Sequence, residues 1–224
     1  MKIWFTSDTH YNHKNICRGT SQWDLKEGGN HQRTRDFNTL DEMNDAIVKG
    51  INDNVAENDI LYHLGDWSFG GIDSIYAFRR RINCKNIHLI LGNHDHHIEN
   101  NRRVSLQEDA NEHYDNTTAR SLFSSVSHVL NKEIGGQKMV LCHYAMRTWD
   151  KAHHGTWMLY GHSHGTLDDY WHPNGYQRFR TIDVGIDSIF RYTGEYRPIS
   201  LDELKEAFKD RPALLVDHHN ENTN

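Results

Sequence analysis

Sulfur, apolar residues and positive charge are all scarce in this chain of 224 residues. Cysteine occurs three times, at Cys17, Cys84 and Cys142. An odd count without a C-x-x-C pair excludes a disulfide framework and a knotted structural zinc site, and leaves reduced thiols. No apolar run approaches the ~18 residues that span a bilayer. The opening MKIWFTSDTH enters a strand pattern at once instead of an apolar leader, so the expected location is cytoplasmic. Lys and Arg number 25 against 31 Asp and Glu, a net charge of −6. That excludes a broad basic surface for long nucleic acid. Hydrophobic residues make up only 36%, below the globular norm, yet aromatics at 11% are too many for a disordered chain. There is no internal repeat, and the one biased stretch is a polar tail that includes His218 and His219. The expected organisation is a single domain over residues 1–212 with a C-terminal tail over 213–224.

What the chain has in excess is histidine, 18 residues scattered along its length. Their meaning depends on the elements around them. Lys2 to Thr6 reads as a strand, and residues 18–36 as a long polar loop broken at Gly28-Gly29. Thr39 and Glu42 make a T-x-x-E capping box, with Leu40, Met43, Ile47, Ile51 and Val55 on one helical face. Asp59 to Leu64 is a second strand, 72–82 a helix, and Asn86 to Leu91 a third strand. Lys138 to Cys142, Trp157 to Tyr160 and Phe179 to Val184 read as further strands. Ser200 and Glu203 cap a last helix that reaches about Lys209. The polar stretch 96–126 yields no element. Strands alternating with helices, then mostly strands, predict an α/β domain with helices covering sheet.

Strand after strand ends in a polar signature. In order these are Asp8-Thr9-His10, Gly65-Asp66, Gly92-Asn93-His94-Asp95, His143 and Gly161-His162-Ser163-His164. Ligands of open α/β sheets bind beyond the carboxyl ends of the strands, so these five loops can converge. Carboxylate, imidazole and amide oxygen are the ligands of borderline divalent cations. In D-x-H and H-x-H the alternate side chains point to one face. Seven candidate ligands exceed the coordination of one cation and suit two that share a carboxylate. A lone D-x-H or G-D is ordinary turn chemistry; five in order, each directly after a strand, are not explained by core packing.

This ordered set, D-x-H…G-D…G-N-H-D…H…G-H-x-H, resembles the calcineurin-like metallophosphoesterase superfamily, in particular its small single-domain bacterial and phage members. Met43-Asn44, Leu64 to Ser68, the V-G-I-D segment from Val184 to Asp187, and Pro198 to Glu203 fit the same resemblance. The resemblance implies a two-sheet β-sandwich flanked by α-helices. It implies that Asp8, His10, Asp66 and His164 hold one divalent cation, and that Asp66, Asn93, His143 and His162 hold a second. His94 would stay free to face the substrate, with Asp95 orienting it. A hydroxide between the cations would attack phosphorus in line, and Mn²⁺ heads a set that includes Fe²⁺, Zn²⁺, Ni²⁺ and Co²⁺.

Departures from the pattern narrow the reading. The run Gly65 to Phe69 lacks the Asp-Arg pair of protein serine/threonine phosphatases, and the third motif is G-N-H-D rather than G-N-H-E. Phe69 stands where purple acid phosphatases carry an iron-binding tyrosine. The leading expectation is a phosphodiesterase acting on a small or nucleotide-type substrate, or on a short oligonucleotide. The alternatives are a phosphomonoesterase or nucleotidase on the same site, a non-catalytic protein-binding scaffold of the same fold, and a plain metal buffer. His13, Arg18, Arg33, Arg35, Arg147 and Trp149 lie near the motifs and are the candidate substrate contacts, against solvated loop residues as the plain alternative. Oligomeric state is left open.

Overall fold

Strand β1 (Ile3–Thr6) begins the sheet that carries the first motif. Strands β2 (Ile60–His63), β3 (Asn86–Ile90) and β4 (Ser125–Ser127) follow it in parallel, and β9 (Ile199–Ser200) pairs antiparallel to β1. The order is β4-β3-β2-β1-β9. A second sheet has the order β5-β6-β7-β8, from Val129–Ile134, Gln137–Cys142, Trp157–Tyr160 and Thr181–Asp183. The β5/β6 hairpin is antiparallel, and β6, β7 and β8 are parallel. This is a computed structural model, and it describes residues 1–23, 34–103, 117–167 and 179–215.

Side-chain alternation builds the layers. Phe5, Tyr62 and Ile90 of the first sheet face Met139, Leu141, Leu159 and Ile182 of the second, forming the core between the sheets. Trp4, Leu61, Ile87 and Leu89 point the other way. They pack under α1 (Leu40–Asn54) and α2 (Ile72–Arg81), against Met43, Ile47, Ile51, Ile75 and Phe78. Val140, Cys142, Met158 and Tyr160 face outward from the second sheet and are covered by Trp149, Ala152 and Leu214. Strands buried on both faces read as continuous apolar runs, which is why KMVLC and WMLY are legible. The expected two-sheet sandwich flanked by helices is present.

The capping boxes at Thr39/Glu42 and Ser200/Glu203 both form, the second opening α5 (Leu201–Phe208). The unread stretch holds a one-turn helix α3 (His96–Glu99) and the strand β4. Among the strands and α-helices, β5, β9 and α4 (Ile186–Thr193) were also not anticipated. Most of β5 is exposed or half-exposed, so its sequence VLNKEI carries no clean alternation. Among the described residues no helix is long and apolar enough to cross a membrane.

Candidate metal centre

The strand ends of both sheets meet at one edge. Ser7 after β1 bridges Gly185 after β8, and Ile186 N–H donates to the Ser7 carbonyl at 3.0 Å. The loops after β1 and β2 are joined by Asp8 N–H to Gly65 O at 2.9 Å, and those after β6 and β7 by Gly161 N–H to His143 O at 3.0 Å. Such contact needs bare backbone at the crossing points. A Cβ on Gly161 would stand 2.1 Å from Ser7 Oγ and 2.4 Å from Asp8 Oδ2; one on Gly92 would stand 2.3 Å from Asp66 Oδ1.

Two groups of side chains converge there. Ligand atoms of Asp8, His10 and His164 lie within 4.8 Å of one another, and so do those of Asp66, His143 and His162. Asp66 Oδ2 stands between the groups, 3.5 Å from His10 Nε2 and 3.6 Å from His143 Nε2. These spacings are too long for good hydrogen bonds. They are near the roughly 3.4 Å edge of a tetrahedron with ~2.1 Å metal–ligand bonds. Five of the residues involved have left-handed backbone: Asp8 (φ 55°), His10 (46°), Asp66 (56°), His162 (67°) and His164 (49°). Such φ values are uncommon outside glycine and cost roughly 1–3 kcal/mol each, a strain that concentrates at functional sites.

Hydrogen bonds fix which atom each ligand presents. Asp8 Oδ2 accepts the His162 N–H at 2.8 Å, while Asp8 Oδ1 is buried with no hydrogen-bond partner. Burial pushes the Asp8 carboxyl up to about 8 even against the nearby His164. An unpartnered buried oxygen is what a cation would satisfy. His143 Nδ1 lies 2.7 Å from the Leu64 carbonyl, which can only accept, so the proton sits on Nδ1. The other ring nitrogen, Nε2, faces Asn93 Oδ1 at 3.1 Å and Asp66 Oδ2 at 3.6 Å. Burial first, then His164 and Arg35, holds His10 well below the usual imidazole range and keeps it in the neutral, ligating form. The donor set and its unanswered acceptors fit divalent cations.

His164 is aimed by a partner the sequence did not mark. Its Nδ1 lies 2.6 Å from Asp187 Oδ2, with Nε2 turned 4.0 Å from Asp8 Oδ1. Burial opposes a charge on His164, but Asp187 outweighs it and raises the imidazole to about 9. Asp187 is gripped by Arg35, Nε to Oδ1 at 2.7 Å and Nη2 to Oδ2 at 2.8 Å. That pairing overcomes burial and holds the Asp187 carboxyl far below its ordinary range. Arg35 also donates to the backbone carbonyls of Asp8 and Thr9, at 2.6 and 2.7 Å. The only sign of Asp187 in the sequence was the V-G-I-D run. Tyr144, exposed beside His162 with its hydroxyl 3.5 Å from Asn93 Oδ1, gave no sign.

Several expected roles change. Asp95 does not serve His94: its carboxylate accepts from the backbone N–H groups of Asp66, Gly92 and Trp67 at 2.8 to 3.0 Å, fully inside the fold. It stands at the start of α3, turns inward, and ties the second motif to the third. Trp149 is not a substrate contact; its indole is 6% exposed, packs in the outer core and donates to the Thr156 carbonyl. A buried indole needs such a partner. Arg35 is not a loop cation awaiting a second phosphate, because Asp187 and two carbonyls take up its guanidinium. Arg18 pairs with Asp36 at the surface, and Arg147 is exposed. His13 stacks on Phe69 at 3.9 Å and lies 5.3 Å from the His10 ring, pushed down to about 4 by burial. His94 stands at the rim, its side chain 38% exposed and its Nε2 4.0 Å from Asp66 Oδ2. Arg33, His218 and His219 lie outside the described residues.

Comparison with known proteins agrees with this geometry. An uncharacterized protein of Methanocaldococcus jannaschii is 28% identical over 204 residues, 90% of this chain and 88% of the relative. The crystal structure of a protein of unknown function from Aquifex aeolicus matches with a TM-score of 0.54 at 19% identity, over 92% of this chain and 98% of that one, and shares the fold. A family model for calcineurin-like phosphoesterases matches residues 1–223. The chain therefore belongs to the calcineurin-like phosphoesterase family, whose members are metal-dependent phosphoester hydrolases.

Proposed function

We propose that the protein hydrolyses phosphodiesters at a site holding two divalent cations, manganese foremost. The observation that carries this reading is Asp66 Oδ2, poised between His10 of one ligand group and His143 of the other. Asp8, His10, Asp66 and His164 would hold one cation, and Asp66, Asn93, His143 and His162 the other. Two bound cations supply Lewis-acid neutralisation of phosphoryl charge and an activated water.

The chain's own groups do the rest. His94 N–H donates to Asp66 Oδ1 at 2.9 Å, leaving Oδ2 to the centre. The His94 ring packs 4.9 Å from Phe69 and 5.5 Å from His10, which aims it across the site. From there it donates a hydrogen bond to a phosphoryl oxygen, or a proton to the leaving oxygen. An alkoxide leaving group needs that proton. Among the described residues the rim beside His94 is imidazole and phenol, with Tyr144 on the far side. Such single hydrogen-bond donors suit a diester monoanion better than a monoester dianion.

The test compares bis-p-nitrophenyl phosphate with p-nitrophenyl phosphate after metal stripping and manganese addition. The diester should be turned over with the higher kcat/KM; preference for the monoester would move the assignment to a phosphomonoesterase. His94→Ala should lower kcat by roughly two to four decades at unchanged metal content.

A further inference from the structure

Beside His162 and His164 opens a cleft of about 670 Å³, within the usual size of small-molecule sites. Beyond His162, His164 and the Arg35–Asp187 pair that positions His164, the proposed chemistry does not use its lining. Trp23 and Phe190 both border it, each 37% exposed. Tyr196 backs Phe190 in a parallel stack 4.2 Å apart, which fixes the plane of the open ring. Trp23 meets His13 edge-on at 5.9 Å, so its indole runs from the cleft to the rings beside His10. Half-open aromatic faces brought together from a helix and a loop invite a flat partner.

The charged groups of the cleft are already engaged. Arg35 is held by Asp187, Asp36 pairs with Arg18, and Arg191 donates to the Gly165 carbonyl at 3.1 Å. The Thr166 hydroxyl donates to the Ser163 carbonyl, and the Ser163 hydroxyl to Asp183. A second phosphate would have to break one of these pairs to find a cation, whereas an uncharged ring needs none of them. We propose that this cleft binds the base of a nucleoside, with the phosphate of the same molecule at the cation centre. This rests on the phosphodiester reading and narrows its substrate to nucleotide esters. Stacking gives affinity with little regard for which base is present, since every base has a π face.

The test uses two phosphates that differ only in the base: adenosine 5′-phosphate and ribose 5-phosphate. Calorimetric titration of the manganese-loaded protein should give about tenfold or greater preference for the nucleotide. That preference should shrink to under about threefold in Phe190→Leu and in Trp23→Leu, which keep apolar bulk and lose the ring. Melting curves of both variants check that they fold, and one folded variant suffices. Equal affinity of the two phosphates for the wild type, or an undiminished preference in a folded variant, overturns the proposal. A base-dependent affinity without diester turnover would keep the cleft and remove the phosphodiester reading. Diester turnover without base dependence would do the reverse.

Discussion

Arg35 offers a cation no ligand atom, yet it holds three parts of the centre in place. Its fork pairs with Asp187, which aims His164, and its remaining N–H groups pin the carbonyls of Asp8 and Thr9. Arg35→Lys keeps the charge and loses the planar fork. Manganese affinity measured by calorimetry should fall by roughly 10–100-fold, as outer partners of metal ligands typically dictate, and Asp187→Asn should act alike. Unchanged affinity in both would show that His164 is aimed by packing alone. Arg35 and Asp95 also show where sequence reading stops. Arg35 stood out for its charge and its nearness to a motif, while Asp95 belongs to the third motif and the family resemblance implied that it orients His94. An arginine 152 residues from its carboxylate, or an aspartate that turns from the adjacent His94 to three backbone amides, has no mark in the linear chain.

At the scale of elements, the strands deliver the loops and the glycines let them touch. Gly161 sits where the loop after β7 crosses Ser7 and Asp8. Gly161→Ala should destabilise the fold by about 1–3 kcal/mol through forced displacement of backbone. The same displacement should weaken metal binding, because His162 N–H would no longer reach Asp8 Oδ2. A melting temperature and metal affinity both equal to wild type would contradict the crossing described. The elements were legible where burial or capping leaves a pattern: α1 and α5 from their T/S-x-x-E boxes, β6 and β7 from unbroken apolar runs. The helix α4 was not, because Gly185 rather than a side-chain cap stands before it and only eight residues carry its period. β9 has two residues, too few to hold any period.

For the whole molecule, the metal-free state has a built-in weakness. Burial raises Asp8 from 3.8 to about 8, and Asp187 raises His164 from 6.5 to about 9. Above about pH 7, where the depressed His10 and His13 are uncharged in folded and unfolded chains alike, these two shifts leave the folded chain with more protons than the unfolded one, so stability falls as pH rises. The His164 contribution is complete below pH 6.5 and is lost through about 9; the Asp8 cost grows from 3.8 toward about 8. The metal-stripped protein should therefore melt progressively lower between about pH 7 and pH 9. Manganese should flatten or reverse that slope, because a cation displaces the same protons. A metal-free melting temperature that climbs over this range would refute the account.

The reach of these contacts along the chain orders events during synthesis. Asp8 emerges from the ribosome early, while its partner backbone at His162 follows 154 residues later, and Asp187 must appear before Arg35 has its carboxylate. A nascent chain thus carries half a cage for most of its translation. The proposed ligand set of either cation is complete only once the loop after β7, which carries His162 and His164, has been made.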